Sequence, residues 1–247
     1  MIRIERAGTT FAIRIERPEK KNALNIEMYA RFNAALREAD ADDGIHAVVL
    51  LGVPGIFTAG NDIKDFIVNP PLGEDTEAFR FLEALTSLRK PLIAGVDGIA
   101  VGVGATMLLH CDLLVASTRA TFSMPFVRLG LVPEAGSSLL LPALVGHTTA
   151  MEWLLLGDAI DAATAHKAGL VNRLVTPEAL ELTTLELAQR LGQLPLAALM
   201  GTKSLVREAT QSRLREVMQR EGKMFAERLM APETIARFMA FGAKKTT

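Results

Sequence analysis

The 247-residue chain is 49% hydrophobic, enough to bury the core of one large domain or of one domain with a small appendage. Its 27 basic and 28 acidic residues leave a formal charge of -1 with no long run of either sign, which excludes the electrostatic footprint of a nucleic-acid binder. The single cysteine, Cys111, excludes an intrachain disulfide, and the four histidines (His46, His110, His147, His166) are scattered without metal-ligand spacing.

The amino end, MIRIERAGTT, lacks the apolar block of a signal peptide, and no run of 18 apolar residues follows, so a soluble, cytoplasmic protein without membrane contact is predicted. Ile2 and Ile4 alternate with charges, AGTT (7–10) supplies a turn, and Phe11, Ile13 and Ile15 resume the period of two, as in a β-hairpin. From the N-cap Asn25, Met28, Tyr29, Phe32, Ala35 and Leu36 recur at three and four and predict an amphipathic helix. The strand AVVLLGV (47–53) follows. A helix through Phe79, Leu82, Leu85 and Leu88 then leads to the buried strand PLIAGVDG (91–98). VGVGATMLL (101–109) reads as helical and DLLVAS (112–117) as a strand. Strands recurring between helices predict an α/β core.

Beyond Gly146 helices dominate, at 147–157, 161–169, 177–191 and most of 196–242, with only LVNRLV (170–175) extended. Thr176 before Pro177 and Glu178 reads as a helix start. Met218, Met224, Phe225, Met230, Phe238, Met239 and Phe241 of the tail suit either the core or a subunit interface.

Three segments could hold chemistry. In GIFTAGNDIKDF (55–66), Ala59 and Gly60 stand where a strand exits into a loop, so backbone amides there are open to a ligand oxygen, or the segment is a plain turn capped by Asp62. GIAVGVGATMLLHCD (98–112) bares its backbone again at Gly98, Gly102 and Gly104, without a dinucleotide fingerprint: Met107 stands three places after Gly104. His110 and Cys111 read as packing residues and Asp112 as a loop tie. LGLVPEAGSSLLLP (129–142) holds one acid, Glu134. It is either an acid at the first turn of a helix, its pKa lowered by the dipole, or a base raised by an apolar surround of Phe126, Leu129, Leu131 and Val132.

Five segments in order, RPEKKNALN (17–25), FTAGNDIKDF (57–66), GIAVGVGATMLLHCDLLVAS (98–117), TFSMPFVRLGLVPEAGSSLLLPALVG (121–146) and LLLGDAIDAATAHKAGLVNRLV (154–175), resemble the crotonase superfamily of enoyl-CoA hydratases and isomerases. The resemblance implies a spiral of β-β-α repeats over 1–190 and a helical region, 191–247, used to assemble a homotrimer or a dimer of trimers. It implies an acyl-CoA thioester as substrate, with no further cofactor and no metal. The backbone N–H groups of Asn61 and Val103 would bind the thioester oxygen, and Lys20, Lys21, Ala23, Ala59, Gly60, Asp62, Ile63 and Gly102 would contact substrate or CoA.

The two glutamates of the hydratases are replaced here by Thr106 and Phe126, while Glu134 falls where monofunctional enoyl-CoA isomerases of the peroxisomal type have their single acid. The implied activity is transfer of a 3,4 double bond to the 2,3 position. The alternatives are hydration through Glu134 and a bound water, and a subunit that binds acyl-CoA without turnover.

Overall fold

A computed structural model describes residues 1–68 and 75–243. The hairpin β1 (Ile2–Ala7) and β2 (Thr10–Ile15) precedes α1 (Ile26–Ala41), whose first turn is closed by Asn25, accepting from the Met28 N–H at 3.0 Å. Then follow β3 (Ala47–Leu51), β4 (Ile56–Thr58), α2 (Ile63–Val68) and α3 (Glu77–Ser87). The next turn holds β5 (Leu92–Val96), β6 (Ile99–Val101) and α4 (Val103–Thr106), and a third begins with β7 (Leu113–Ser117) and β8 (Thr121–Ser123). The remainder is α5 (Ser137–Val145), α6 (His147–Leu156), β9 (Ile160–Asp161), α7 (Ala162–Lys167), β10 (Arg173–Val175), α8 (Leu180–Gly192), α9 (Leu196–Leu229) and α10 (Pro232–Ala243).

Each turn of the spiral gives its first strand to a six-stranded sheet, ordered β1-β2-β3-β5-β7-β10, and its second to a four-stranded sheet, ordered β4-β6-β8-β9. All pairings are parallel except β1 with β2 and β8 with β9. The apolar letters of AVVLL require this arrangement, because a parallel strand in the sheet centre is covered on both faces. Val48 and Leu50 enter the main core with Phe32 and Phe81, whereas Ala47, Val49 and Leu51 face Leu180, Leu187 and Ala188 of α8.

The predicted helix over 101–109 is divided in the structure. Residues 99–101 are strand, α4 has four residues, and a 3-10 turn covers Met107–His110. A three-residue strand is too short for a period of two to show. In the tail, Met218, Phe225 and Phe238 are buried, while Met224, Met230 and Met239 are exposed; the side chain of Phe241 lies outside the described residues. Phe66 of α2 meets Phe225 and Phe238 at ring distances of 6.0 and 6.5 Å, so the tail folds back over the loop after β4. Among the described residues no helix is long and apolar enough to cross a membrane.

Asp97, in the turn between β5 and β6, ties the two sheets. It accepts from the Gly55 N–H at 2.6 Å, from Ser117 Oγ at 2.7 Å and from two nitrogens of Arg119. Burial alone would raise its carboxyl, but the bonds from Arg119, Ser117 and Gly55 prevail and hold it at about 2. A depressed carboxyl stabilises the fold above its unfolded value of 3.8 and loses that contribution as pH falls toward 2. Asp97→Asn should therefore cost about 2 kcal/mol in urea unfolding at pH 7, and the gap between variant and parent should narrow between pH 4 and pH 2.

Candidate active site

The first wall of the site is built by segment 17–25. Asn22, fully buried, donates to the carbonyls of Ile15, Ile56 and Phe57 and accepts from the Arg17 N–H, fastening this segment to the end of β4. The Ala59 N–H donates to Lys21 O, the Leu24 N–H to Gly60 O and the Asp62 N–H to Leu24 O. With Gly60 and Asp62 turned toward Leu24 in this bridge, the Asn61 N–H points the other way, and among the described residues it has no acceptor.

The neighbouring strand supplies a second free amide. Gly102 adopts φ 57 and ψ -123, open to glycine alone, and this bend starts α4 at Val103. At the first position of a helix the Val103 N–H has no intrahelical acceptor, and no other acceptor meets it among the described residues. The two segments touch: a Cβ on Gly60 would stand 2.5 Å from Val101 O, so a side chain there would force apart the edges that bear the two amides.

Glu134 stands three residues before α5. Ala135 (φ 60) and Gly136 (φ 72) are both left-handed, and Gly136 is the N-cap residue, so the helix begins at Ser137 and Glu134 lies outside its first turn. Its carbonyl accepts from the Ser137 N–H and Oγ, and its Oε1 accepts from Thr106 Oγ1 at 2.5 Å. Burial pushes the carboxyl up to about 7; the Thr106 bond opposes the rise and the Glu221 carboxylate adds to it.

These groups meet in one cavity of about 260 Å³, lined by Tyr29, Asn61, Phe66, Thr76, Ala78, Phe79, Leu82, Val103, Glu134, Gln219, Gly222, Lys223, Phe225 and Ala226. Among the described residues Glu134 is the only acid in this lining. The Tyr29 hydroxyl, 4% exposed as a residue, donates to Asn61 Oδ1 at 2.5 Å. Burial and the nearby Glu134 charge hold the phenol protonated, well above its ordinary value. An apolar chamber with one carboxyl of raised proton affinity and two free amides can remove a proton from a carbon beside a carbonyl and hold the resulting oxyanion.

The sequence profile of the Enoyl-CoA hydratase/isomerase family matches residues 5–241. A probable enoyl-CoA hydratase of Rhizobium meliloti is 34% identical over 98% of this chain and 95% of the relative. The 1,2-epoxyphenylacetyl-CoA isomerase of Escherichia coli is 36% identical over 81% of this chain and 79% of its own length. The chain belongs to the enoyl-CoA hydratase/isomerase family. The solved structure of Pseudomonas aeruginosa OdaA superposes with a TM-score of 0.95 at 42% identity, covering 97% of this chain and 98% of the other.

Within this family fold, the structure brings Asn61, Val103 and Glu134 to one cavity and gathers Lys20, Lys21, Ala23, Ala59, Gly60, Asp62, Ile63 and Gly102 along the paired segments beside it. None of those eight lines the cavity. Lys20 and Lys21 are exposed, and the Asp62 carboxylate is engaged by Arg17 at 2.8 Å and by the Lys64 N–H at 3.2 Å.

Thr106 and Phe126, at the two hydratase glutamate positions, differ in use: Thr106 holds Glu134, while Phe126 is buried away from the cavity lining. Phe126 and Leu131 lie in the main core with Leu129 and Val132 packed against it, while the cavity that Glu134 faces takes its apolar lining from Phe66, Phe79, Leu82 and Phe225. The sequence pattern places Tyr29 only in a helical stripe; its signal as a site residue is a phenol among apolar neighbours, since a buried Tyr hydroxyl needs a partner. The α9 residues that form the far wall carry no such local signal.

Proposed function

We propose that the protein is an acyl-CoA isomerase that moves a carbon–carbon double bond from the 3,4 to the 2,3 position, with Glu134 as the base. One observation supports this most: among the described residues a single carboxyl, Glu134, lines a cavity that also presents two unpartnered amides. Glu134 takes a proton from C2 of the 3-enoyl thioester, the C2 electrons form the dienolate, and negative charge collects on the thioester oxygen. The N–H groups of Asn61 and Val103 receive that oxygen. The protonated Glu134 then returns a proton to C4, so a single acid serves both steps and no water is consumed.

A carboxyl at about 7 suits the task, because it is basic enough to accept the proton and still half ionised at neutral pH. The kinship to a named 1,2-epoxyphenylacetyl-CoA isomerase supports an isomerase. Other relatives are named as hydratases, and hydration through Glu134 is the second reading. Thr106 and Phe126, where hydratases place their acids, weigh against it.

The two readings separate on product mass. Incubated with 3-hexenoyl-CoA, the enzyme should form the conjugated 2-enoyl thioester, seen by its ultraviolet absorbance, with no gain of the mass of water. Its kcat should rise with pH through about 7 as the base ionises. Hydration requires the conjugated alkene, so the enzyme is also given 2-hexenoyl-CoA: a gain of the mass of water there, with 3-hexenoyl-CoA left unchanged, would establish hydration instead.

A further inference from the structure

The Glu134 loop is held from two sides. On one, His110 Nε2, neutral because burial lowers its pKa to about 4, donates to Ala135 O at 2.8 Å. On the other, Glu221 of α9 accepts from the Gly136 N–H at 2.6 Å, from the Ser138 N–H at 2.9 Å and from Ser138 Oγ at 2.5 Å. Glu221 is 7% exposed, and among the described residues no cation forms an ion pair with it. The same stretch of α9 places Gln219, Gly222 and Lys223 on the cavity wall. One helix segment thus both encloses the acyl chamber and fastens the backbone from which the base projects.

Serine or asparagine would cap the first amides of α5 without the cost of burying a charge. A carboxylate adds a second oxygen, so that Glu221 accepts all three bonds, which oppose the rise that burial causes in its own carboxyl, and its charge acts on Glu134. We propose that Glu221 is the positioning residue of this site, fixing the 134–138 loop against the cavity. The inference rests on Glu134 being that base. Among the described residues, the titratable and charged groups around Glu134 are Tyr29 of α1, His110 of the 107–110 turn, and Glu221 and Lys223 of α9. Of these, Glu221 both bonds the loop and raises Glu134 by its charge.

The test compares Glu221→Gln, Glu221→Asp and Ser138→Ala in the full-length protein, by kcat and KM across pH and by NMR titration of 13C-labelled glutamate carboxyls, with Glu134 assigned by its loss in Glu134→Gln. In Glu221→Gln, kcat should fall about 10- to 100-fold by displacement of the base, with KM nearly constant. The midpoint of Glu134 should move to lower pH in both the rate profile and the titration. Glu221→Asp keeps the charge and should retain the parent midpoint with a reduced kcat, which also serves if the glutamine variant does not fold. Ser138→Ala should lose rate without a midpoint change.

A folded Glu221→Gln whose Glu134 titrates as in the parent, or a Glu221→Asp with parental kcat, would overturn the proposal. The titration requires no turnover. Failure of the isomerase reading would show as a parent enzyme inert toward 3-enoyl-CoA while the midpoint shift in Glu221→Gln persists.

Discussion

Glu134→Gln should abolish double-bond transfer and yet give a more stable protein. Loss of the base should lower kcat by about 10³-fold or more, toward the upper end of what a positioned general base contributes. Glutamine keeps the shape and still accepts from Thr106 Oγ1, so binding of the acyl chain should change little. The gain in stability follows from the proton balance. The carboxyl stands at about 7 in the folded chain against an ordinary value of 4.5, so between those values the folded state retains a proton that the unfolded chain has released. Stability therefore falls as pH rises through that window, and above pH 7 the whole cost is present.

The gap corresponds to about 3 kcal/mol, or roughly 6–12 °C in Tm for a chain of this size. Below pH 4.5 the two proteins should melt together, and at pH 8 the variant should melt later. Equal melting at pH 8 would mean that the carboxyl is ionised at no cost and is not tuned for proton transfer. Undiminished isomerisation would remove Glu134 from the mechanism.

The difference between what the letters disclose and what they hide is a matter of distance along the chain. The β1–β2 hairpin, α1 with its Asn25 cap, and the buried strands β3, β5 and β7 arise from local periodicity, and each occurs where the pattern places it. β4, β6 and β8 have three residues apiece, too few for a period to form, yet they aim both free amides. The glycines at 60 and 102 were a sufficient local signal for that edge, because bare backbone at a strand exit serves the same purpose in any fold.

Glu134 was harder to place. Its sequence neighbours suggested a helix start, but the left-handed pair Ala135 and Gly136 delays α5 until Ser137 and releases the acid from the helix. Leu129, Leu131 and Val132, adjacent in sequence, belong to the core or pack on it, but the apolar side chains that line the cavity Glu134 faces are drawn from α2, α3 and α9. Gln219 and Phe225 lie some two hundred residues from Tyr29 in the chain, and only packing of the tail against the spiral unites them. No pattern within one segment encodes that meeting.

Gly102→Ala should separate oxyanion binding from acyl binding. Nothing lies within 4 Å of the position a Cβ would take, so the added methyl has room. The constraint is conformational: φ 57 with ψ -123 is closed to an alanine, and relief requires rotating the peptide between residues 102 and 103. That peptide contains the Val103 N–H, so the strain is discharged by turning one of the two donors away from the thioester oxygen. Loss of one such donor lowers kcat by about 10²- to 10³-fold. The acyl wall of Phe66, Phe79, Leu82 and Phe225 is untouched, so KM should change only a few-fold. The pH midpoint of the residual activity should stay near that of the parent, because Thr106 and Glu221 still surround Glu134. A variant that folds with parental kcat would show that the Val103 amide takes no part in stabilising the enolate, and a variant with parental kcat but much raised KM would assign Gly102 to binding alone.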